Sequence, residues 1–403
     1  MKYEKLEIYC DVISGYAFKS ADWQNEGVPV IKIGNISNGY DVILDESTQY
    51  VDESFCGKLD KKYFVENGDI LISLTGSHIN QPNSMVGRSC RNYTNRLYFL
   101  NQRAGKVIPF DTVDKDYLYY LFSTKAIKYD IANRAYGGAN QVNVSPKDIK
   151  NIKWAFPEIS IQRRISGILS KYDAIIHNNN KRIKVLEQMA ESLYKEWFVR
   201  FRFPGYEDIS LKEQTPSGWV ISSRANDMVC PEGWEYGVLS HLGSFTRGKN
   251  ITAAEMVEGD IPVVSAGLEP SGYHNAHNVT GKSLTISASG ANAGYLKYHL
   301  SDIWAADCSY FQDDRKLWFV YNALKFLQPV ISNLQIGAAQ PHVYPKNINK
   351  LCTIIPDDDT VQAYCDKVEP IYNQIRILKE KNNTLAKQRD MLLPRLMSGK
   401  LEV

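Results

Sequence analysis

GGANQVNVSPKDIKNIKWAFP (residues 137–157) returns as IGAAQPHVYPKNINKLCTIIP (residues 336–356), 199 positions further along the chain. The pairs Gly138/Gly337, Gln141/Gln340, Val144/Val343, Pro146/Pro345, Lys147/Lys346, Ile149/Ile348 and Pro157/Pro356 share that spacing. It continues into two helical stretches, pairing Leu186 with Leu385 and Leu193 with Leu392. Upstream, VPVIKIGN (28–35) resembles IPVVSAGL (261–268), and DILISLTG (69–76) resembles SLTISASG (283–290), at larger spacings that imply loops of different length. A fixed period of this kind marks a repeated structural unit. The chain reads as two copies of one unit, a β-rich globular part followed by a long helix.

In the globular parts, apolar and β-branched runs broken by Gly, Asn and Pro predict short strands and turns. YLYYLFSTKAIKYDIA (117–132) predicts added helix, so each copy is read as an α+β domain. The long helices carry apolar residues at 4-3 spacing, the seam of a coiled coil. The first seam runs Ile161, Ile165, Ile168, Tyr172, Ile176, Asn179, Ile183, Leu186, Ala190, Leu193 and Trp197. The second runs Val361, Val368, Ile375, Leu378, Leu385, Leu392 and Leu396. Asn179 and Asn382 are polar seam positions of the kind that fix register.

A helix of about 40 residues is roughly 60 Å long, whereas a compact domain of about 130 residues has a radius of gyration near ~14 Å. The second globular part joins the end of one helix to the start of the other, and it spans adjacent ends more easily than ends a helix length apart. The expected architecture is two globular α/β-mixed domains at opposite ends of a long antiparallel two-helix coiled coil, with an internal pseudo-two-fold repeat. That symmetry matches duplex DNA, on which each domain would meet one half-site. An elongated scaffold with two unrelated binding domains has the same outline.

Composition narrows the class. A chain of 403 residues suits two or three domains, and 44% hydrophobic with 23% charged residues is globular and soluble in type. The opening MKYEKLEIYC is charged where a signal peptide is apolar, and no stretch reaches the roughly 18 apolar residues of a membrane span. A cytoplasmic protein without a membrane partner is expected. Seven cysteines without a CxxC pair argue against a disulfide framework and against zinc. The net charge is only +2, so DNA binding would need positive charge arranged locally or supplied by a partner.

Several segments resemble the specificity subunits of type I restriction-modification enzymes. MLLPRLMSGKLEV (391–403) resembles that family's C-terminal signature, and SLYKEWFVRFRFPGYE (192–207) its central conserved region. GANQVNVSPKDIKNIKWAFPEISIQRRI (138–165) resembles its junction between recognition domain and helix, and PEGWEYGVLSHLGSFTRGK (231–249) the start of a target recognition domain. The junction departs from the family's Glu-Gln pattern: Gln162 follows Ile161, and the second copy has only a displaced Gln362.

The resemblance implies a first target recognition domain at 1–157, a central conserved helix at 158–202, a linker at 203–230, a second target recognition domain at 231–356 and a C-terminal conserved helix at 357–403. It implies a prokaryotic, non-catalytic subunit that reads a bipartite asymmetric site in double-stranded DNA. Such a subunit holds two methyltransferase (modification) subunits aimed at adenines, with restriction motor-nuclease subunits joining to cut unmodified sites. S-adenosylmethionine, ATP and magnesium would belong to those partners. The alternative is a coiled-coil scaffold joining two protein-binding domains without DNA sequence specificity.

Catalytic motifs point the same way. No two prolines are adjacent, so the Asn/Asp-Pro-Pro-aromatic loop of adenine methyltransferases is missing. AHNVTGKS (276–283) lacks the first glycine of a P-loop, and GSFTRGKN (243–250) lacks its closing Ser/Thr. His274 and His277 read as solvent-exposed loop residues rather than a metal site. Asp357, Asp358 and Asp359 read as cap and dipole partners of a helix start. Tyr194, Trp197 and Phe198 read as core packing.

Base readout needs Arg, Lys, Asn, Gln and small polar groups on loops that enter a groove. In the first domain the loop 75–88 offers Ser77, His78, Asn80, Gln81, Asn83 and Arg88, and the stretch 133–141 offers Arg134, Tyr136, Asn140 and Gln141. In the second, 246–250 offers Arg247, Lys249 and Asn250, 287–292 offers Ser289 and Asn292, and 338–342 offers Gln340 and His342. Each stretch also reads as an ordinary polar surface turn.

Overall fold

Capping chemistry sets where the repeated elements begin. Ser145 Oγ accepts the Asp148 amide at 3.2 Å while the Asp148 carboxylate accepts the Ser145 amide at 3.4 Å, and Pro146 opens the helix Pro146–Lys150. Proline suits that first turn because its missing N–H has no helical partner there. The second copy opens Pro345–Ile348 on Pro345. Each short helix delivers the chain into a strand, Lys153–Phe156 or Cys352–Ile355. That strand pairs antiparallel with one at the start of its own copy, Lys2–Lys5 or Glu235–Val238.

The computed structural model describes residues 2–36, 41–45, 47–77, 84–138, 141–214, 228–335 and 341–403. They form two compact units, Met1–Asn178 with Lys381–Val403, and Asn179–Glu380. In the first, a four-stranded sheet runs Cys10–Ser14, Ala104–Pro109, Ile70–Ser73, Ser89–Arg91. In the second, the order is Thr246–Arg247, Cys308–Phe311, Ser283–Ser287, Leu296–His299. A parallel pair also repeats, Val28–Ile31 beside Tyr98–Leu100 and Ile261–Val264 beside Trp304–Ala305. The segments matched in the sequence therefore occupy equivalent places in the two sheets.

Helices cover these sheets. In the first unit Lys115–Ser123 buries every residue from Tyr117 to Phe122, the pattern of a helix enclosed on all sides. Asp114 caps it, accepting the Tyr117 amide at 2.8 Å. In the second unit Leu317–Phe326 does the same work, with Trp318 and Phe319 fully enclosed.

The two long helices, Ile159–Tyr194 and Asp358–Met397, each contribute a segment to both units. In the first unit Ile165 and Leu169 join one core with Leu393, Leu396 and Met397; Arg164 donates to the Val403 carbonyl at 3.0 Å and, further along, Asp173 accepts from Arg389 at 2.7 Å, so the two segments run in opposite directions. In the second, Tyr364 donates to the Ala190 carbonyl at 3.2 Å and Lys379 lies 3.8 Å from Glu187, again antiparallel. Of the seam positions, Ile165, Ile176, Asn179, Ile183, Val368, Ile375, Leu378 and Leu396 are buried. Ile168, Tyr172, Leu186, Leu193, Leu385 and Leu392 are half-buried. Ala190, Trp197 and Val361 of the seam are buried as well, and the enclosed face extends one position beyond the apolar pattern to Gln162, Leu169, Asp173 and Tyr194, because the globular part packs against the helix beside its seam.

Tyr194, Trp197 and Phe198 are core residues, with Phe198 4.7 Å from Phe319 and 5.0 Å from Tyr364 between ring centres. The helix widens over Lys195–Val199, where the Arg200 amide reaches back to the Lys195 carbonyl at 2.9 Å. Asp357 takes the helix start as expected, accepting the Thr360 amide at 2.8 Å, and its other oxygen accepts Trp234 Nε1 at 2.9 Å. The expectation for His274 is corrected: it is buried, its Nδ1 accepting the Val257 amide at 3.0 Å and its ring edge-on to Trp304. A turn rich in glycine looked exposed in sequence, but the strand Gly272–His274 carries this ring inward.

Candidate nucleic-acid interface

In the first unit, backbone pairing brings two of the candidate stretches together. Thr75–Gly76 pairs antiparallel with Gln141–Asn143, which pairs in turn with Tyr136–Gly138. The Thr75 hydroxyl donates to Asn143 Oδ1 at 2.8 Å, and the Val144 amide donates to the Leu74 carbonyl at 2.9 Å. Tyr136 and Gln141 are exposed on this ribbon, and Gly137 holds φ 139°, a conformation that favours glycine. Ser77 and Arg88 are half-buried, and exposed Arg134 lies 3.5 Å from Asp130. His78, Asn80, Gln81, Asn83, Asn140 and Gln340 lie outside the described residues.

Several cations lie in the same unit. Lys128 Nζ donates to the Ser84 carbonyl at 3.2 Å, and burial followed by the nearby Arg88 guanidinium pushes its ammonium below the ordinary lysine value. Lys32 lies over the Trp23 ring at 4.1 Å and donates to Gln49. Burial first, then Arg103, pushes its pKa down as well. Arg103 is itself exposed, and its carbonyl accepts the Leu74 amide at 3.0 Å, beside the ribbon. Lys128 with Arg88 and Lys32 with Arg103 thus form two cation pairs in the first unit.

In the second unit, all three candidate stretches converge. Ser289 bridges His342 antiparallel, and the Val343 amide donates to the Ala288 carbonyl at 2.9 Å. Asp307 joins the third stretch, one carboxylate oxygen accepting from Arg247 and the other from the Ser289 hydroxyl. Lys249 and Asn250 are exposed, Asn292 and His342 half-exposed, and His342 stacks on Tyr344. Ser289 differs from the sequence expectation of an outward-facing group, because its hydroxyl is committed to Asp307 within the protein.

A family model for the type I restriction modification DNA specificity domain matches residues 4–188 and 231–387, one domain in each half of the chain. The chain belongs to this family. It is 26% identical to the MjaIX specificity subunit of Methanocaldococcus jannaschii over 75% of this chain and 73% of that one. It is 22% identical to the MjaVIII specificity subunit of the same organism over 93% of this chain and 89% of that one. Its fold is similar to the crystal structure of the type I restriction-modification S subunit from M. genitalium, with a TM-score of 0.55 and 16% identity, covering 98% of this chain and 95% of that one.

Within this specificity-domain fold, two features went beyond the sequence reading, the first being the role of Gln162, noted there only as a junction residue. Gln162 is 2% exposed and bolts three elements together: its Oε1 accepts the Asp114 amide at 3.0 Å and its Nε2 donates to the Pro157 carbonyl at 2.9 Å. In the second unit Val361 fills the corresponding position and the cap is left to Asp357. The other feature is the segment 14–19, the first-unit counterpart of 247–252. The Gly15 amide donates to the Ala104 carbonyl at 3.0 Å, and the Gly248 amide to the Cys308 carbonyl at 2.9 Å. A Cβ on Gly15 would lie 2.2 Å from the Leu100 carbonyl oxygen, and one on Gly248 2.5 Å from that of Ala305. The signal was present, since Gly15 and Gly248 share the spacing of VPVIKIGN and IPVVSAGL.

A cleft of about 1210 Å³ in the first unit is lined by Tyr120, Lys125, Trp154, Arg389, Arg395 and Lys400, among others. None of the described candidate readout side chains lines it.

Proposed function

We propose that this chain is the DNA sequence-recognition and assembly subunit of a type I restriction-modification system, each unit reading one half of a bipartite, asymmetric site. The observation that carries this reading is the repetition of one backbone scaffold with different polar side chains at the same loops. Two similar frames suit two half-sites of duplex DNA, and different side chains suit two different sequences.

The finer architecture belongs to the same proposal. Connectivity and helix length favour recognition domains at opposite ends of an antiparallel two-helix coiled coil, and the helix segments run in opposite directions within each unit. Two methyltransferase subunits would seat on the long helices, with motor-nuclease subunits added for restriction. Catalysis, S-adenosylmethionine, ATP and magnesium belong to those partners in this reading, and the present chain contributes sequence choice and geometry. The proposal places the complex in the prokaryotic cytoplasm, and no helix among the described residues is long and apolar enough to cross a membrane.

The test is single-molecule sequencing of methylated adenines in cells expressing the cognate methyltransferase with and without this chain. A split, asymmetric motif methylated only when the chain is present supports the reading, and exchanging residues 231–356 then changes one half-site alone. Identical methylation in both cells, with both proteins soluble, overturns it and favours the scaffold.

A further inference from the structure

The hydrogen bonds that match the two units residue by residue also isolate one place where their side chains diverge in charge. The Leu74 amide donates to the Arg103 carbonyl at 3.0 Å, and the Ala288 amide to the Asp307 carbonyl at 3.2 Å. Val144 bonds Leu74 as Val343 bonds Ala288, each at 2.9 Å. Thr75 faces Asn143 across one ladder as Ser289 faces His342 across the other. With Gly15 equivalent to Gly248, four positions correspond: Ser14 to Arg247, Arg103 to Asp307, Thr75 to Ser289 and Asn143 to His342. The backbone frame is the same, yet the cation stands on the strand Thr246–Arg247 in the second unit and in the turn just before the strand Ala104–Pro109 in the first.

The second unit's version is built to present its arginine. Asp307 is bound on both oxygens, by Arg247 and by the Ser289 hydroxyl, and Ser289 is in turn fixed by the bridge to His342. The Arg247 side chain is 40% exposed, so part of the fork is clamped while part remains open to solvent. The strand pairing of Arg247 with Ser309 and the close approach at Gly248 hold its backbone. A guanidinium held in this way loses little freedom on binding, and its remaining donors match the O6 and N7 acceptors of guanine.

We propose that Arg247 is a specificity-determining residue that reads a guanine in the half-site of the second unit, with Asp307 as its positioning residue. The inference rests on the recognition role proposed above. The different occupants of the same frame in the first unit, Ser14 and Arg103, then explain how one scaffold reads a different half-site there. Arg103 has Lys32 among its charged neighbours, where Arg247 has Asp307.

The experiment uses the full chain with its cognate methyltransferase and reads methylated motifs for wild type, Arg247→Ala, Arg247→Lys, Asp307→Asn and Asp307→Glu. A second-half-site guanine in the wild-type motif that becomes degenerate in Arg247→Ala, with the first half-site and the spacer unchanged, is the expected result. Discrimination at that base should fall about tenfold or more. Asp307→Asn should relax the same position, and Asp307→Glu should restore most of the preference. A wild-type motif whose second half-site holds no guanine sensitive to Arg247 overturns the inference while leaving the recognition role standing. Loss of the whole motif in both Arg247 variants assigns the residue a structural role and also overturns it. Absence of any chain-dependent motif with wild type defeats the recognition role, and this inference with it.

Discussion

Replacing Asp173 with alanine should loosen the first unit selectively. Asp173 is 4% exposed on the first long helix, where its carboxylate accepts the Tyr120 hydroxyl at 2.6 Å and Arg389 Nη1 at 2.7 Å. It therefore ties the globular part to both long helices. Removing it leaves the Tyr120 hydroxyl without that acceptor and takes from the Arg389 guanidinium, 12% exposed, one carboxylate while Asp390 stays at 2.7 Å. Taking one partner from a buried pair costs about 3–5 kcal/mol. Because Asp390 still compensates part of the charge, we expect the low end, about 3 kcal/mol. In a unit of about 200 residues that corresponds to roughly 6–12 °C in Tm. Two compact units make a single melting temperature ill-defined, so amide hydrogen exchange resolved by peptide is the better assay. Peptides from Lys115–Ser123 and from 381–397 should lose about 3 kcal/mol of protection, whereas Leu317–Phe326 keeps its own. Asp173→Asn, which retains an acceptor, should lose less. A loss below about 1 kcal/mol in Asp173→Ala, or an equal loss in both units, would refute the reasoning.

Three further outcomes follow from the geometry. Burial pushes the His299 imidazole down to about 3, and its Nε2 sits 2.8 Å from Thr285 Oγ1. The unfolded chain therefore binds the extra proton between pH ~6.5 and ~3, so stability of the second unit rises with pH across that window. Denaturant melts at pH 7 and pH 5 should differ by about 1–2 kcal/mol from this group, a difference that His299→Gln abolishes. Asp357→Ala removes both the cap on Thr360 and the acceptor for Trp234 Nε1, and should cost about 1–2 kcal/mol, read as faster exchange in the first turn of Asp358–Met397. Gly15→Ala and Gly248→Ala each drive a methyl into backbone carbonyls and should cost about 2–3 kcal/mol. Exchange should report the first in the first unit only and the second in the second unit only.

The repeat was legible because it is written in residues that backbone geometry demands. Pro146 and Pro345 open helices, and Val144 and Val343 sit at matching bonds in their sheets. The alternation of DILISLTG and SLTISASG belongs to equivalent central strands. Burial along the long helices was less legible. Apolar periodicity chose Ile168 and Tyr172, while the packing chose Leu169 and Asp173, since a carboxylate met by a tyrosine and an arginine can occupy an enclosed position that hydropathy alone denies it. The pairing of Arg247 with Asp307 was invisible for another reason. The two residues are far apart in sequence, and only the sheet order brings the strand that carries Arg247 beside the strand Cys308–Phe311 that Asp307 immediately precedes.

That difference between what repeats and what diverges bears on how recognition is divided. Gly15 and Gly248 are fixed by carbonyls that leave no room for a side chain, so the frame constrains them whatever the DNA sequence may be. Ser14 and Arg247 immediately precede those glycines in the chain and carry no such constraint, as their different sizes and charges show. A rigid glycine beside a free position fixes where the neighbouring side chain starts without fixing which one it is. The same holds for Arg103 and Asp307, whose carbonyls make equivalent bonds while their side chains carry opposite charge. A scaffold of this kind can change its half-site by substitution at a few positions and keep its fold, because the bonds that hold the frame run through the backbone and the contacts proposed to read bases run through side chains.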